Sequence, residues 1–93
     1  MVSAIVLIDC EKGMVNETAQ MLANLDGVSE VYSVAGQVDL VAVIRVSSND
    51  DLARVVTAEM LKIEGIARTE TLISFRVFSK YDLERMFSIG LEP

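Results

Sequence analysis

Two short segments carry the residues best suited to hold a small polar ligand. The first is a turn-like run made of Gly36, Gln37, Val38 and Asp39. Exposed main-chain amides in such a turn can hold a carboxylate, and the Asp39 carboxylate can accept a hydrogen bond from an amine. The second segment contains Thr69 and Thr71, whose hydroxyls would share one face of a strand and line a polar pocket. A plain hairpin turn and an ordinary threonine-containing strand are the open alternatives, because glycine and aspartate are common in turns and threonine is a good strand former.

Two other polar clusters favour structural roles. Cys10 lies between Asp9 and Glu11, and neighbouring acids raise the pKa of a thiol, so we interpret Cys10 as a small apolar residue at a strand end rather than a nucleophile or metal ligand. Asp50 and Asp51 are adjacent and do not face each other on a helix. They are typical of a helix N-terminus, where negative charge is favoured.

The composition excludes several classes of function. The 93 residues include no histidine and a single cysteine, so histidine-dependent nucleophile pairs, histidine-ligated metals and intrachain disulfides are all excluded. The net charge of −6 argues against direct nucleic-acid binding. The apolar runs are too short for a membrane span. We therefore expect a cytoplasmic, non-enzymatic protein with no cofactor and no metal site.

The hydrophobic pattern predicts one domain over residues 1–79 and a tail with a short helix over residues 80–93. The elements expected in the domain are strands over Val2–Ile8, Val28–Ala35, Asp39–Val46 and Ile66–Phe78, with helices over Met14–Asp26 and from the cap cluster Ser47–Asp50 to Gly65. Leu25-Asp26-Gly27-Val28 and Ile63-Glu64-Gly65-Ile66 form a pseudo-repeat in which a helix ends and a strand begins. The order βαββαβ is that of an α+β, ferredoxin-like sandwich.

The surplus of apolar residues indicates a subunit interface. Hydrophobic residues make up 52% of the chain, and strands one and three are apolar on both faces. Right-handed crossovers place both helices on one face of the sheet. We therefore expect a second copy of the chain to cover the other face.

Together these segments resemble the ligand-binding (RAM) domain of the Lrp/AsnC family of transcriptional regulators. The resemblance rests on Leu25-Asp26-Gly27-Val28, on the turn Val34 to Leu40, and on Ile63 to Ile66 followed by Arg68 to Ile73. It covers roughly residues 2–80. Met1 leads directly into strand one, so the expected form is a stand-alone domain without the family's helix-turn-helix.

The resemblance implies an amino-acid sensor that forms dimers through the open sheet face and assembles further into rings of dimers. The ligand would bind at the interface between dimers, against Gly36, Gln37, Val38 and Asp39, with Thr69 and Thr71 completing the pocket from the same or a neighbouring subunit. Co-assembly with a DNA-binding regulator of the family is a further expected partnership. Val38 and Ala35 stand where the family carries an aromatic residue and a threonine. A structural oligomerisation module without a ligand, and a small dimeric ferredoxin-like enzyme, are the alternatives.

Overall fold

The computed structural model describes residues 1–78. The four strands are β1 (Val2–Cys10), β2 (Val28–Ser33), β3 (Leu40–Val46) and β4 (Ile66–Ile73), and the first helix is α1 (Val15–Ala23). The second helix begins as α2 (Asn49–Arg54), continues as a π-helical turn (Val55–Glu59) and ends as a 3-10 turn (Met60–Lys62). The predicted tail helix lies outside the described residues.

The sheet confirms the expected ferredoxin-like topology. Its strand order is β2-β3-β1-β4, and every neighbouring pair is antiparallel. The two strands that are apolar on both faces, β1 and β3, are therefore the central ones. Their register places Val6 opposite Ala42 and Ile8 opposite Leu40.

The core lies on the helix side of the sheet. Alternate side chains of the central strands are completely buried there, and Leu22 of α1 and Val55 of the second helix pack against them. The fully buried strand residues are Ala4, Val6, Ile8, Leu40, Ala42 and Ile44. Because side chains alternate along a strand, every second side chain of each central strand lies in the core and the others lie on the opposite face.

Helix α1 ends three residues earlier than the sequence predicts. The chain turns through Asn24 and Leu25, whose amides donate to the carbonyls of Met21 and Leu22. Gly27 then adopts φ +96°, the left-handed conformation expected of a residue that terminates a helix. A Cβ at Gly27 would lie 2.8 Å from Val46 Cγ1, so packing as well as backbone conformation requires glycine there.

The second helix begins where the sequence predicts but is not a regular α-helix. Ser48 is its N-cap, and the Ser48 hydroxyl accepts a hydrogen bond from the Asp51 amide at 3.2 Å. The wider π-helical turn changes the angular spacing between Val55 and Met60, which lie five residues apart. Both side chains consequently reach the core, together with Leu52 and Ile63.

Strands β2 and β4 are shorter than predicted. The pairing of β4 with β1 ends at Ile73, opposite Ala4, and a last bond joins the Ser74 amide to the Ser3 carbonyl at 3.0 Å. β1 itself begins two residues earlier, at Val2, which pairs with Val46 of β3. At the other edge, β2 ends at Ser33, opposite Leu40, where the chain enters the turn towards β3. Within residues 1–78, no helix is long and apolar enough to cross a membrane.

Candidate functional site

The turn between β2 and β3 projects from one end of the sheet. The Val34 amide donates to the Asp39 carbonyl at 3.0 Å and closes a loop over residues 35–38. Gly36 and Gln37 are exposed and Val38 is half-buried. Gly36 does not have a positive φ, and a Cβ placed on it would meet nothing within 4 Å. The fold of the described chain therefore leaves the space beside Gly36 open for an approaching group.

Asp39 is held on both sides by hydrogen bonds. Its amide donates to the Ile8 carbonyl at 3.0 Å, and its carbonyl closes the turn. Its carboxylate oxygen Oδ2 accepts a hydrogen bond from the Cys10 amide at 2.8 Å. The short distance is typical of a bond to a charged acceptor. The Asp39 carboxylate thus joins the turn to the last residue of β1.

The two threonines lie at the same end of the sheet as the turn, separated from it by β1. Ile8 pairs with Leu40 on one side and with Thr69 on the other, so Thr69 is two strand spacings from Leu40, roughly 10 Å. Thr69 is exposed, and Thr71 lies two pairs further into the sheet, half-buried opposite Val6. A single chain therefore places both predicted segments at one end with the end of β1 between them.

An ion pair and a β-bulge shape the end of β1. Arg68 donates from Nε to Asp9 Oδ2 at 3.1 Å, and its Nη2 lies 3.0 Å from the same oxygen. The β1–β4 register shifts between Asp9 and Cys10, so that Asp9 faces Arg68 while Cys10 faces Ile66. Such bulges redirect side chains and are common beside functional sites. Arg68 is not among the site residues predicted from the sequence.

Thr18 and Gly65 close this end of the sheet from the helix side. Thr18 is 1% exposed, and its Oγ1 has no hydrogen-bond partner among the described residues. A Cβ on Gly65 would overlap that oxygen, so α1 and the start of β4 are in direct contact. Thr18 continues the helical spacing of Val15 and Leu22, the one sequence signal that indicates it faces the core.

The Cys10 thiol is a weak acid in this environment. Burial, the nearby Asp39 carboxylate and, to a smaller extent, Asp9 raise the pKa of Cys10. The Thr18 hydroxyl lies close enough to lower that pKa slightly, although its geometry falls short of a regular hydrogen bond. A raised pKa leaves little thiolate at neutral pH, which agrees with a packing role for the side chain.

The polar groups at this end of the sheet have chemistry that can bind a small ligand. No group of three cysteine, aspartate or glutamate residues within residues 1–78 is placed to hold a metal ion. Asp50 and Asp51 lie in the first turn of α2, as expected of helix-stabilising acids. The end of the sheet beside the β2–β3 turn combines an open main-chain turn, hydroxyl groups and charged side chains, which can contact a small polar ligand.

The face of the sheet away from the helices, termed the open face, has an apolar centre and a charged rim. Ile5 is 41% and Leu72 is 45% exposed, and their neighbours Leu7, Val41 and Val43 are half-buried. Tyr32, opposite Val41 on β2, is 48% exposed. The rim carries charges of both signs, from Asp9, Glu30, Arg45, Arg68 and Glu70.

This fold, a four-stranded antiparallel sheet with one face covered by helices, defines a small α+β domain of the ferredoxin-like class. The family model of the Lrp/AsnC ligand binding domain matches residues 3–83. The chain therefore belongs to the Lrp/AsnC family of ligand-binding domains, as its sequence motifs predicted.

Similar proteins include regulators and solved domains. An uncharacterized HTH-type transcriptional regulator of Pyrococcus horikoshii, PH1916, is 36% identical over 76 residues, which cover 78% of this chain and 51% of that protein. The chain thus spans about half the length of that regulator. The crystal structure of TTHA0845 from Thermus thermophilus is 42% identical with a TM-score of 0.80, covering 86% of this chain and 100% of that one.

A more distant neighbour shows the same fold with an amino acid. The complex of the Neisseria meningitidis transcriptional regulator NMB0573 with L-Met has a TM-score of 0.74 at 12% identity. The likeness covers 84% of this chain and 52% of that one. At this identity the comparison shows the fold alone.

Proposed function

We propose that this protein is a non-enzymatic sensor of an amino acid or a similar small effector, and that it works as an oligomer built on a dimer. The observation that carries the proposal is the convergence of the Gly36 to Asp39 turn and Thr69 on one end of the sheet of a family ligand-binding domain. The space beside Gly36 is open and Thr69 is exposed, so a ligand can reach both.

The proposed ligand site consists of Gly36, Gln37, Val38, Asp39, Thr69 and Thr71. Because β1 separates the turn from the threonines within one chain, a ligand that touches both needs either an extended shape or a threonine from a neighbouring subunit. The second arrangement places the site between dimers, where binding changes assembly. The match of residues 3–83 to the Lrp/AsnC ligand binding domain supports a small effector as the class of ligand.

The proposed dimer packs the open faces of two chains against each other. Ile5 and Leu72, at the apolar centre, are more exposed than core residues are. The charged rim around them is typical of a protein–protein interface. In a twofold dimer the same patch of both chains forms the interface. Since the rim carries both positive and negative groups, the rim of one chain can pair with the rim of the other. The same face also provides a surface for co-assembly with a DNA-binding regulator of the family.

An open-face substitution tests the dimer. Ile5→Arg places a charge at the apolar centre, and burying it unpaired should weaken dimerisation about 100-fold or more in sedimentation equilibrium. Leu61→Arg is the matched control, since Leu61 is 77% exposed on the 3-10 turn of the second helix, away from the open face. A monomeric wild type, or equal effects of the two variants, would contradict the dimer.

Calorimetry with the twenty amino acids tests sensing. Thr69→Val removes one hydroxyl with little change in shape, and we expect it to weaken binding about threefold to tenfold. Thr57→Val is the control, because the Thr57 hydroxyl bonds to the Ala53 carbonyl within the second helix. Light scattering should show a change of assembly on binding. An intact dimer that binds no amino acid would instead support the alternative of a purely structural oligomerisation module, which Val38 and Ala35 favour.

A further inference from the structure

Asp39 combines two properties that a ligand contact would not require. It is half-buried, and its amide, carbonyl and carboxylate all bond to other parts of the same chain. The two main-chain bonds continue the pairing of neighbouring strands. The carboxylate bond is different, because it reaches a main-chain amide 29 residues away in sequence.

The Cys10 amide needs the partner that Asp39 supplies. Regular β1–β3 pairing extends from Val2 opposite Val46 to Ile8 opposite Leu40, and it ends before Cys10. On the β4 side, the register shifts at the bulge between Asp9 and Cys10. Cys10 is half-buried, and a buried amide without an acceptor is unfavourable. The Asp39 carboxylate therefore extends the β1–β3 connection beyond the point where main-chain pairing ends.

We infer that Asp39 is a positioning residue, whose carboxylate fixes the β2–β3 turn on the end of β1, and that it supports ligand binding through this bond rather than by pairing with the ligand's charge. This inference rests on the proposed function. The direct contacts then fall to the main chain around Gly36 and Gln37 and to the threonine hydroxyls. Since β1 also holds β4 through the Asp9–Arg68 pair, both halves of the proposed site are anchored to the same strand end.

Two substitutions at Asp39 separate positioning from charge recognition. Asp39→Asn removes the charge but keeps a carbonyl oxygen that can accept from the Cys10 amide. Asp39→Ala removes both. Asp26→Asn and Asp26→Ala are the matched controls, because Asp26 is an exposed acid at the opposite end of the sheet, beside Gly27.

The first measurement is amide hydrogen exchange by NMR on the unliganded chain. We expect the Cys10 amide to exchange about tenfold faster or more in Asp39→Ala than in the wild type, and within about threefold of the wild type in Asp39→Asn. The Val6 amide in the middle of β1 is the internal reference for global stability. An unchanged Cys10 amide in Asp39→Ala, with Val6 also unchanged, would overturn the inference.

The second measurement is calorimetry with whichever amino acid binds the wild type. Positioning predicts that Asp39→Asn keeps affinity within about threefold while Asp39→Ala loses about tenfold or more. If Asp39→Asn loses binding as fully as Asp39→Ala while its Cys10 amide stays protected, the carboxylate charge recognises the ligand and the inference is wrong. Failure of the proposed function gives a different result, in which no amino acid binds the wild type while the exchange pattern holds.

Discussion

The two ends of the sheet are closed by different kinds of interaction. At one end, Gly27 packs against the side chains of Val46 and Val55, and the contacts are apolar. At the other end, Gly65 packs against the hydroxyl of Thr18, and Asp39 bonds to the Cys10 amide. We call these the apolar end and the polar end. The two glycines are equivalent in the pseudo-repeat, yet one lies at each end.

This difference shows how a repeated motif can serve two purposes. At the apolar end, a positive φ and contact with aliphatic side chains both demand glycine, and the junction is purely structural. At the polar end, Gly65 does not have a positive φ, and glycine is required by the close approach of α1 alone. The approach buries a hydroxyl without a partner among the described residues, a locally unfavourable arrangement of the kind found near functional sites.

The largest expected effect comes from Gly65→Ala. The new methyl would overlap Thr18 Oγ1 and contact Met14 Cβ at 3.2 Å, so we expect a loss of about 3 kcal/mol in the free energy of unfolding by urea. Removing the Thr18 hydroxyl should restore part of this stability. We expect the double variant Thr18→Ala/Gly65→Ala to recover about 1 kcal/mol or more of the free energy of unfolding. Strict additivity of the two substitutions would show that Thr18 is not what excludes a side chain at Gly65.

Gly27→Ala should have a smaller effect of about 2 kcal/mol, from the positive φ and the 2.8 Å contact with Val46. Here Thr18→Ala should give no rescue, because Thr18 belongs to the polar end. The same urea titrations measure both double variants. Rescue of Gly27→Ala by Thr18→Ala would mean that the two ends are coupled and that the distinction between them is wrong.

The fold was predictable because its signals are local. Continuous apolar runs identified β1 and β3 as central strands, and the residues that end each helix gave the βαββαβ order. The sequence predicted the second helix but not its π-helical turn, because apolar spacing indicates which residues are buried and not how the main chain winds between them. The sequence placed Gly27 at the end of a helix, where a left-handed glycine is common, and Gly27 has a positive φ.

The polar end was predicted only in part, because its contacts are distant in sequence. The turn and the threonines were identified from residue types, and the fold brings them to one end. The partner of Asp39 lies 29 residues away, and the Asp9–Arg68 pair spans 59 residues. No spacing rule connects such residues without the sheet register. The sequence placed Gly65 at a helix end. The contact with the Thr18 hydroxyl, which requires glycine at this position, exists only in the packed structure.

A stabilising substitution is expected at the polar end. Thr18→Val replaces the buried hydroxyl, which has no partner within residues 1–78, with a methyl group of the same shape, and this should raise the free energy of unfolding by about 1 kcal/mol. Thr57→Val is the control, since Thr57 is exposed and its hydroxyl is already bonded. A loss of stability in Thr18→Val would show that the Thr18 hydroxyl makes a favourable interaction, with the Cys10 thiol as its nearest candidate.

The smallest expected effect is on the acidity of Cys10, and it tests the electrostatics of the polar end directly. After burial, the Asp39 carboxylate is the largest cause of the raised pKa of this thiol. Asp39→Asn removes that negative charge, so the thiolate becomes less unfavourable and the pKa of Cys10 should fall. Since iodoacetamide reacts with the thiolate, its pH–rate profile should shift to lower pH.

Two further variants give the order of the effects. Asp9→Asn should shift the alkylation profile in the same direction but by less, because Asp9 is the weaker contributor to the pKa of Cys10. Thr18→Val should shift it to higher pH, since the hydroxyl lowers that pKa. Asp26→Asn, at the apolar end, should leave the profile unchanged. An equal shift from Asp26→Asn and Asp39→Asn would mean that Cys10 responds to net charge alone, because a specific contact at the polar end would distinguish the two carboxylates.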